Sequence, residues 1–147
     1  MNEATTATRS VIVEREFPCP PEKLWRALTQ APLIEEWLMA NDFAPVVGHK
    51  FQLRGEANPQ WNGVSDCEVL AVEPVKRLAY SWNASGAEAA TGIKTVVTLT
   101  LTPTKTGTHL RMEQSGFRSD QPQNYAGAKY GWQNFFAKLE DVLAKTQ

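Results

Sequence analysis

The stretch from about Gln121 to Lys145 constrains this chain more than any other. Trp132, Phe135, Phe136, Leu139, Val142 and Leu143 recur at the spacing of one face of an α-helix. Lys129, Gln133, Lys138, Asp141 and Lys145 occupy the other faces. Ser119 or Asp120 is placed to cap the helix start. A stripe with three large aromatics needs a wide apolar partner, and the rest of the chain offers one in the form of strands.

Arg9 to Phe17 is rich in β-branched residues. Val11, Val13 and Phe17 share one parity and Ile12 takes the other, which predicts a strand partly covered on both faces. Pro18-Cys19-Pro20-Pro21 ends it, and two short helices follow, one carrying Leu24, Trp25 and Leu28, the other Ile34, Trp37 and Leu38, with a break at Ala31-Pro32. Turn signals then separate five strand candidates: Gly48 to Glu56, Val64 to Glu73, Arg77 to Asn83, Thr95 to Thr102 and Thr108 to Ser115. Leu78, Tyr80 and Trp82 share one face of the third, as do Val97, Leu99 and Leu101 in the fourth. The order is β-αα-βββββ-α. Consecutive strands predict an antiparallel meander in an α+β domain, with the last helix laid on its concave face.

Composition removes several function classes. The 147 residues suit one domain, and 42% hydrophobic with 21% charged residues is ordinary for a folded chain. A net charge of −1 and the lack of a basic run leave no electrostatic draw toward nucleic acid. No apolar stretch is long enough to span a membrane. MNEATTATR has no apolar leader core, so a cytoplasmic location is expected, with Cys19 and Cys67 reduced. Neither cysteine has metal-ligand spacing to His49 or His109, so no metal and no cofactor is expected.

Ordered short motifs run along nearly the whole chain. They are Arg15-Glu16-Phe17, the run Pro20-Pro21-Glu22-Lys23-Leu24-Trp25-Arg26-Ala27-Leu28-Thr29, Trp37, and Gly48-His49-Lys50-Phe51. Then come Glu68-Val69-Leu70-Ala71-Val72-Glu73-Pro74, Arg77-Leu78, Ser81-Trp82, Gly107-Thr108-His109-Leu110 and Gly131-Trp132. In this order they resemble the START-like (helix-grip, SRPBCC) superfamily, within it the group similar to the C-terminal domain of the activator of the heat-shock chaperone ATPase. The chain length predicts one domain over residues 1–147, and the small polar residues 1–8 are expected to be flexible. The resemblance implies a helix-grip fold, with the curved six-stranded antiparallel sheet around the C-terminal helix. It also implies a cavity between helix and sheet, used in the superfamily for lipids, polyketides and other hydrophobic molecules. The eukaryotic activators carry a separate N-terminal domain that contacts the chaperone. This chain has no room for one, so a chaperone partner has weak support. Monomer and dimer stay open.

A small apolar or aromatic ligand is the expected partner. The candidate lining is Trp37, Phe51, Trp61, Tyr80, Trp82, Leu99, Gln114, Trp132 and Phe136, apolar with few polar groups, as such pockets are. Core filling is the alternative for each aromatic. Asp66 and Glu68 share a strand parity with Leu70 and Val72, which would bring two carboxylates to the cavity mouth. Close like charges there would raise one pKa, as acid–base work requires; a β-bulge turning both to solvent is the alternative. A non-catalytic binder is therefore the leading reading. An enzyme of cyclase, dehydratase or hydrolase type, using Asp66, Glu68, Tyr80 and Gln114 in the same cavity, and a protein-interaction module stay open. No residue is singled out as catalytic. His109, Arg111 and Glu113 read as a solvated outer face, and Cys67 as a passive thiol. Gly127 and Gly131 point to a softer helix start that admits ligand, to close backbone packing, or to a helix that starts later than Gln121.

Overall fold

A computed structural model describes residues 8–59 and 61–146. The elements are β1 (Thr8–Phe17), α1 (Pro21–Thr29), α2 (Ala31–Trp37), β2 (Ala40–Asn41), β3 (Lys50–Arg54), β4 (Val64–Glu73), β5 (Arg77–Ala84), a 3-10 turn (Gly86–Ala90), β6 (Lys94–Pro103), β7 (Thr108–Arg118) and α3 (Pro122–Lys145). All strands join one antiparallel sheet in the order β1-β7-β6-β5-β4-β3-β2. The α1–α2 pair thus carries the chain from one sheet edge to the other, and the remaining strands return as a meander. This is the α+β helix-grip arrangement, with α3 packed on β1, β7, α1 and α2.

Several expectations need correcting. The sheet has seven strands, not six. The extra one, β2, is two residues long, and two residues carry no period-2 signal. The break between the first helices falls at Gln30, whose backbone is extended, and Pro32 fits inside the first turn of α2. Neither Ser119 nor Asp120 caps α3. Gln121 holds that position without a side-chain capping bond, and Asp120 Oδ1 instead accepts from Arg118 Nε at 3.0 Å. Ile12 is 44% exposed, so β1 is covered on one face only. Residues 1–7, for which flexibility was expected, lie outside the described residues, and Thr8 opens β1.

β7 also runs past Ser115. Gly116 has φ +108°, and the β1–β7 register shifts opposite it, between Arg9 and Ser10. A Cβ at Gly116 would lie 2.7 Å from the Lys94 carbonyl oxygen, so only glycine fits both the bulge and the close approach. The bulge resets the strand parity. Gln114 faces inward, and so does Phe117, three residues on, which is fully buried.

The inner face at one end of the sheet is sealed. Phe17, Leu78, Leu99, Leu110 and Met112 meet Phe136 and Leu139 of α3, all at 1% exposure or less. Phe17 and Phe136 pack edge to face at 5.9 Å.

Candidate functional site

The other end of the same interface is open. From Pro122 to Gly131 no residue of α3 is buried, whereas Trp132 is 1% exposed. Beneath this half lies a cavity of about 200 Å³. Trp82 and Ala84 from β5, Ser65 from β4, and Gln114 and Phe117 from β7 form its floor, Ala128, Gly131, Trp132 and Phe135 its roof, and Trp61 its rim. Among the described residues no lining side chain is charged. An engineered apolar cavity of about 150 Å³ holds benzene, so this one has room for one or two rings.

Trp132 divides open end from sealed end. Its ring lies 5.7 Å from Trp82, 5.5 Å from Phe135, 5.9 Å from Phe136 and 6.4 Å from Trp37. Its indole Nε1 donates to Gln114 Oε1 at 2.8 Å. Gln114 Nε2 donates to Thr95 Oγ1 at 2.9 Å, and Thr95 Oγ1 donates to the Trp82 carbonyl at 2.7 Å. An indole nitrogen can only donate, so this chain fixes the amide orientation of Gln114. The buried glutamine is thus a brace between helix and sheet that also borders the cavity.

Of the sequence-derived candidates, Trp61, Trp82, Gln114 and Trp132 line this cavity. Trp37, Phe51 and Tyr80 surround a separate void of about 10 Å³, about the size of one water. Trp37 is held there by its indole N–H, which donates to the Ala27 carbonyl at 2.8 Å. Phe51 packs on Phe43 and on Tyr80 edge to face at 5.1 and 5.4 Å. Burial pushes the Tyr80 hydroxyl far above its ordinary range, with the Cys67 thiol adding to the effect. Leu99 and Phe136 belong to the sealed end and do not line this cavity.

Asp66 and Glu68 do not reach the cavity mouth. The inward parity of β4 belongs to Ser65, Cys67 and Val69, all buried, so the carboxylates face outward. Asp66 is exposed and accepts from Gln52 Nε2 at 2.9 Å. The extra residue in β4 is Leu70: the pairing with β5 slips between Val69 and Ala71, and Leu70 is 45% exposed. That slip is why counting back from Leu70 and Val72 assigns the wrong face to Asp66 and Glu68. Cys67 is buried, and burial, then the nearby Asp66 and Asp42 carboxylates, push its thiol far above the ordinary range, which leaves no reactive thiolate. On the outer face, His109 Nε2 lies 2.8 Å from Glu14 Oε1, and Arg111 pairs with Glu113 at 3.0 Å.

The other lining residues, which the sequence pattern did not assign to the cavity, are mostly small, or lie beyond a bulge or in a connecting segment. Phe117 follows the Gly116 bulge. Ile93 and Gly92 lie in the segment joining β5 to β6. Ala128 and Gly131 sit one turn apart on the open half of α3. Ser65 was hidden by the reversed parity of β4. Outside the rim, Asn58, Trp61, Gln123 and Asn124 surround a vestibule rich in amide side chains, which shares Trp61 and Asn124 with the cavity. Among the described residues no three His, Cys, Asp or Glu side chains converge as metal ligands, and no helix is long and apolar enough to cross a membrane.

Comparison with known proteins agrees with this architecture. Protein MLL2253 from Mesorhizobium loti is 61% identical, with a TM-score of 0.87 over 95% of this chain and 99% of that one. DynU16, a putative protein in the dynemicin biosynthetic locus, is 25% identical with a TM-score of 0.76, over 92% of this chain and 47% of its own. The Aha1 dimer from Colwellia psychrerythraea shares the fold at 21% identity, with a TM-score of 0.76 over 92% of this chain and 96% of that one. No curated protein matches. The model of the family described as activator of Hsp90 ATPase homolog 1-like protein matches residues 18–144, and with nearly the whole chain covered, this protein belongs to that family.

Proposed function

We propose that this protein binds a small, uncharged, largely apolar molecule in the cavity beneath the open half of α3. The observation that carries the reading is the lining: Trp61, Trp82, Phe117, Trp132 and Phe135 enclose about 200 Å³, and no charged side chain among the described residues lines it. Aromatic walls with a few neutral polar groups suit apolar rings. The same lining supports binding over acid–base catalysis, because no titratable group among the described residues faces the bound molecule. Cys19 and Cys67, buried and unpaired, fit a reducing compartment such as the cytoplasm.

An apolar naphthalene-type fluorescent probe tests the proposal. It should bind saturably to the native protein. Ala128→Phe, which fills the cavity from the helix side, should abolish saturation while leaving the circular dichroism unchanged. Saturable binding that survives Ala128→Phe at the same affinity would place the site elsewhere.

A further inference from the structure

Two polar side chains reach the cavity floor from the sheet, and they differ in how they are used. Gln114 is committed at both ends, to Trp132 and to Thr95. Ser65 is only 1% exposed, yet its hydroxyl has no hydrogen-bond partner among the described residues. Among the described residues no fully sealed polar side-chain atom lacks a partner, so the Ser65 oxygen opens onto the cavity it lines. A hydroxyl with no protein partner, reachable only from the cavity, leaves its donor and acceptor to whatever occupies that cavity. Its neighbours make the position deliberate in geometry. Ser65 stands opposite Ala84 and Leu53, two small or apolar residues, neither of which offers a side-chain partner.

Resting on the binding reading above, we infer that Ser65 is the specificity-determining contact, and that the site takes an uncharged ring compound carrying a hydroxyl or carbonyl at its inner end. A serine hydroxyl both donates and accepts, so it serves a phenol, a ring alcohol or a ketone equally. It cannot neutralise a carboxylate, and no cationic side chain among the described residues lines the cavity, so an acid would enter with its charge uncompensated. The ring lies against Trp82 and Trp132, which touch each other at 5.7 Å and together wall the cavity. The rim at Trp61 and Asn124, open to the amide-rich vestibule, leaves the outer end of the ligand free to carry a neutral polar substituent.

The experiment is a calorimetric comparison of naphthalene, 2-naphthol and 2-naphthoate at neutral pH, on the native protein and on Ser65→Ala and Ser65→Cys. The native protein should bind 2-naphthol about fivefold tighter than naphthalene, and 2-naphthoate at least about tenfold more weakly than 2-naphthol. Both variants should lose the preference for 2-naphthol while keeping the affinity for naphthalene. The native ranking needs no variant, so it stands as a test even if a substitution disturbs folding. Equal affinities for naphthalene and 2-naphthol, a Ser65→Ala loss shared by both, or tight binding of 2-naphthoate would overturn the Ser65 inference alone. Failure of all three ligands to bind the native protein would overturn the binding reading with it.

Discussion

The two halves of α3 are one continuous helix over one sheet, yet they do different work. From Trp132 onward, Trp132, Phe136, Leu139, Val142 and Leu143 are buried against β1, β7 and the α1–α2 pair. Before Trp132 the helix touches the sheet through fewer groups. Tyr125 is the main tether: its ring packs on Phe117 at 5.8 Å and under the Arg9 guanidinium at 4.1 Å, and its hydroxyl reaches the Ser10 carbonyl at 3.3 Å. Gln121 adds a long bond of 3.4 Å to the Thr91 carbonyl. Burial gives the second half its stability; the shortage of burial gives the first half its cavity. A helix-on-sheet fold thus holds a binding site without weakening its core, because opening is confined to the segment that contributes least to folding.

Truncation on either side of Trp132 tests this division most severely. Phe136→Ala should cost about 3–5 kcal/mol in urea unfolding, as deletion of a fully packed aromatic does. Tyr130→Ala, six residues earlier and 71% exposed in the native chain, should stay within about 0.5 kcal/mol. Comparable losses at the two sites would mean that both halves of α3 are core.

The floor of β4 repeats the contrast within two residues. Ser65 faces the open cavity, and Cys67 faces a sealed interior. Burial raises the pKa of the Cys67 thiol, and likewise of the Tyr80 hydroxyl, so the folded chain keeps both protons where the unfolded chain releases them. The stability they support is full below the unfolded pKa values, about 8.5 for a thiol and about 10 for a phenol, and falls as pH climbs above them. At pH 10 the thiol alone should cost about 2 kcal/mol, at about 1.4 kcal/mol per pH unit. Urea unfolding between pH 7 and pH 10 should show this decline, and Cys67→Ala should flatten its first part. An identical slope in the variant would show that Cys67 ionises freely and that its surroundings are not sealed.

The legible parts of this molecule were those with sustained periodicity. The alternation of Leu78, Tyr80 and Trp82 and of Val97, Leu99 and Leu101, and the spacing from Trp132 to Leu143, report burial directly, because one face of each element has no alternative to the core. Family resemblance then supplied the arrangement. What stayed hidden depended on single residues that reset the count. Gly116 turned Phe117 inward, and the slip at Leu70 misassigned Asp66 and Glu68 and concealed Ser65. The division of the aromatics between cavity, small void and core was also invisible. Trp37 and Trp82 both pack on Trp132, but Trp37 turns its indole N–H back to Ala27 while Trp82 borders the opening, a difference set by tertiary packing and not by strand or helix period.

Gly127 and Gly131 bear most finely on the comparison, because close packing of the helix no longer accounts for them. A Cβ on Gly127 would meet nothing within 4 Å, and one on Gly131 would meet only Phe135 Cε2, at 3.9 Å. The helix begins before both, so neither marks a late start. Each therefore lowers helix propensity in the half that covers the cavity, with no steric gain. Replacing Gly127 by alanine should raise stability by about 1 kcal/mol, since glycine costs about that much in a helix interior. If softness of this half admits the ligand, stopped-flow binding of the naphthalene probe should slow in Gly127→Ala, whose added methyl meets no neighbour within 4 Å, with less change in the dissociation constant. Faster folding or higher stability with unchanged association would leave the open half as a rigid roof, entered from the rim at Trp61.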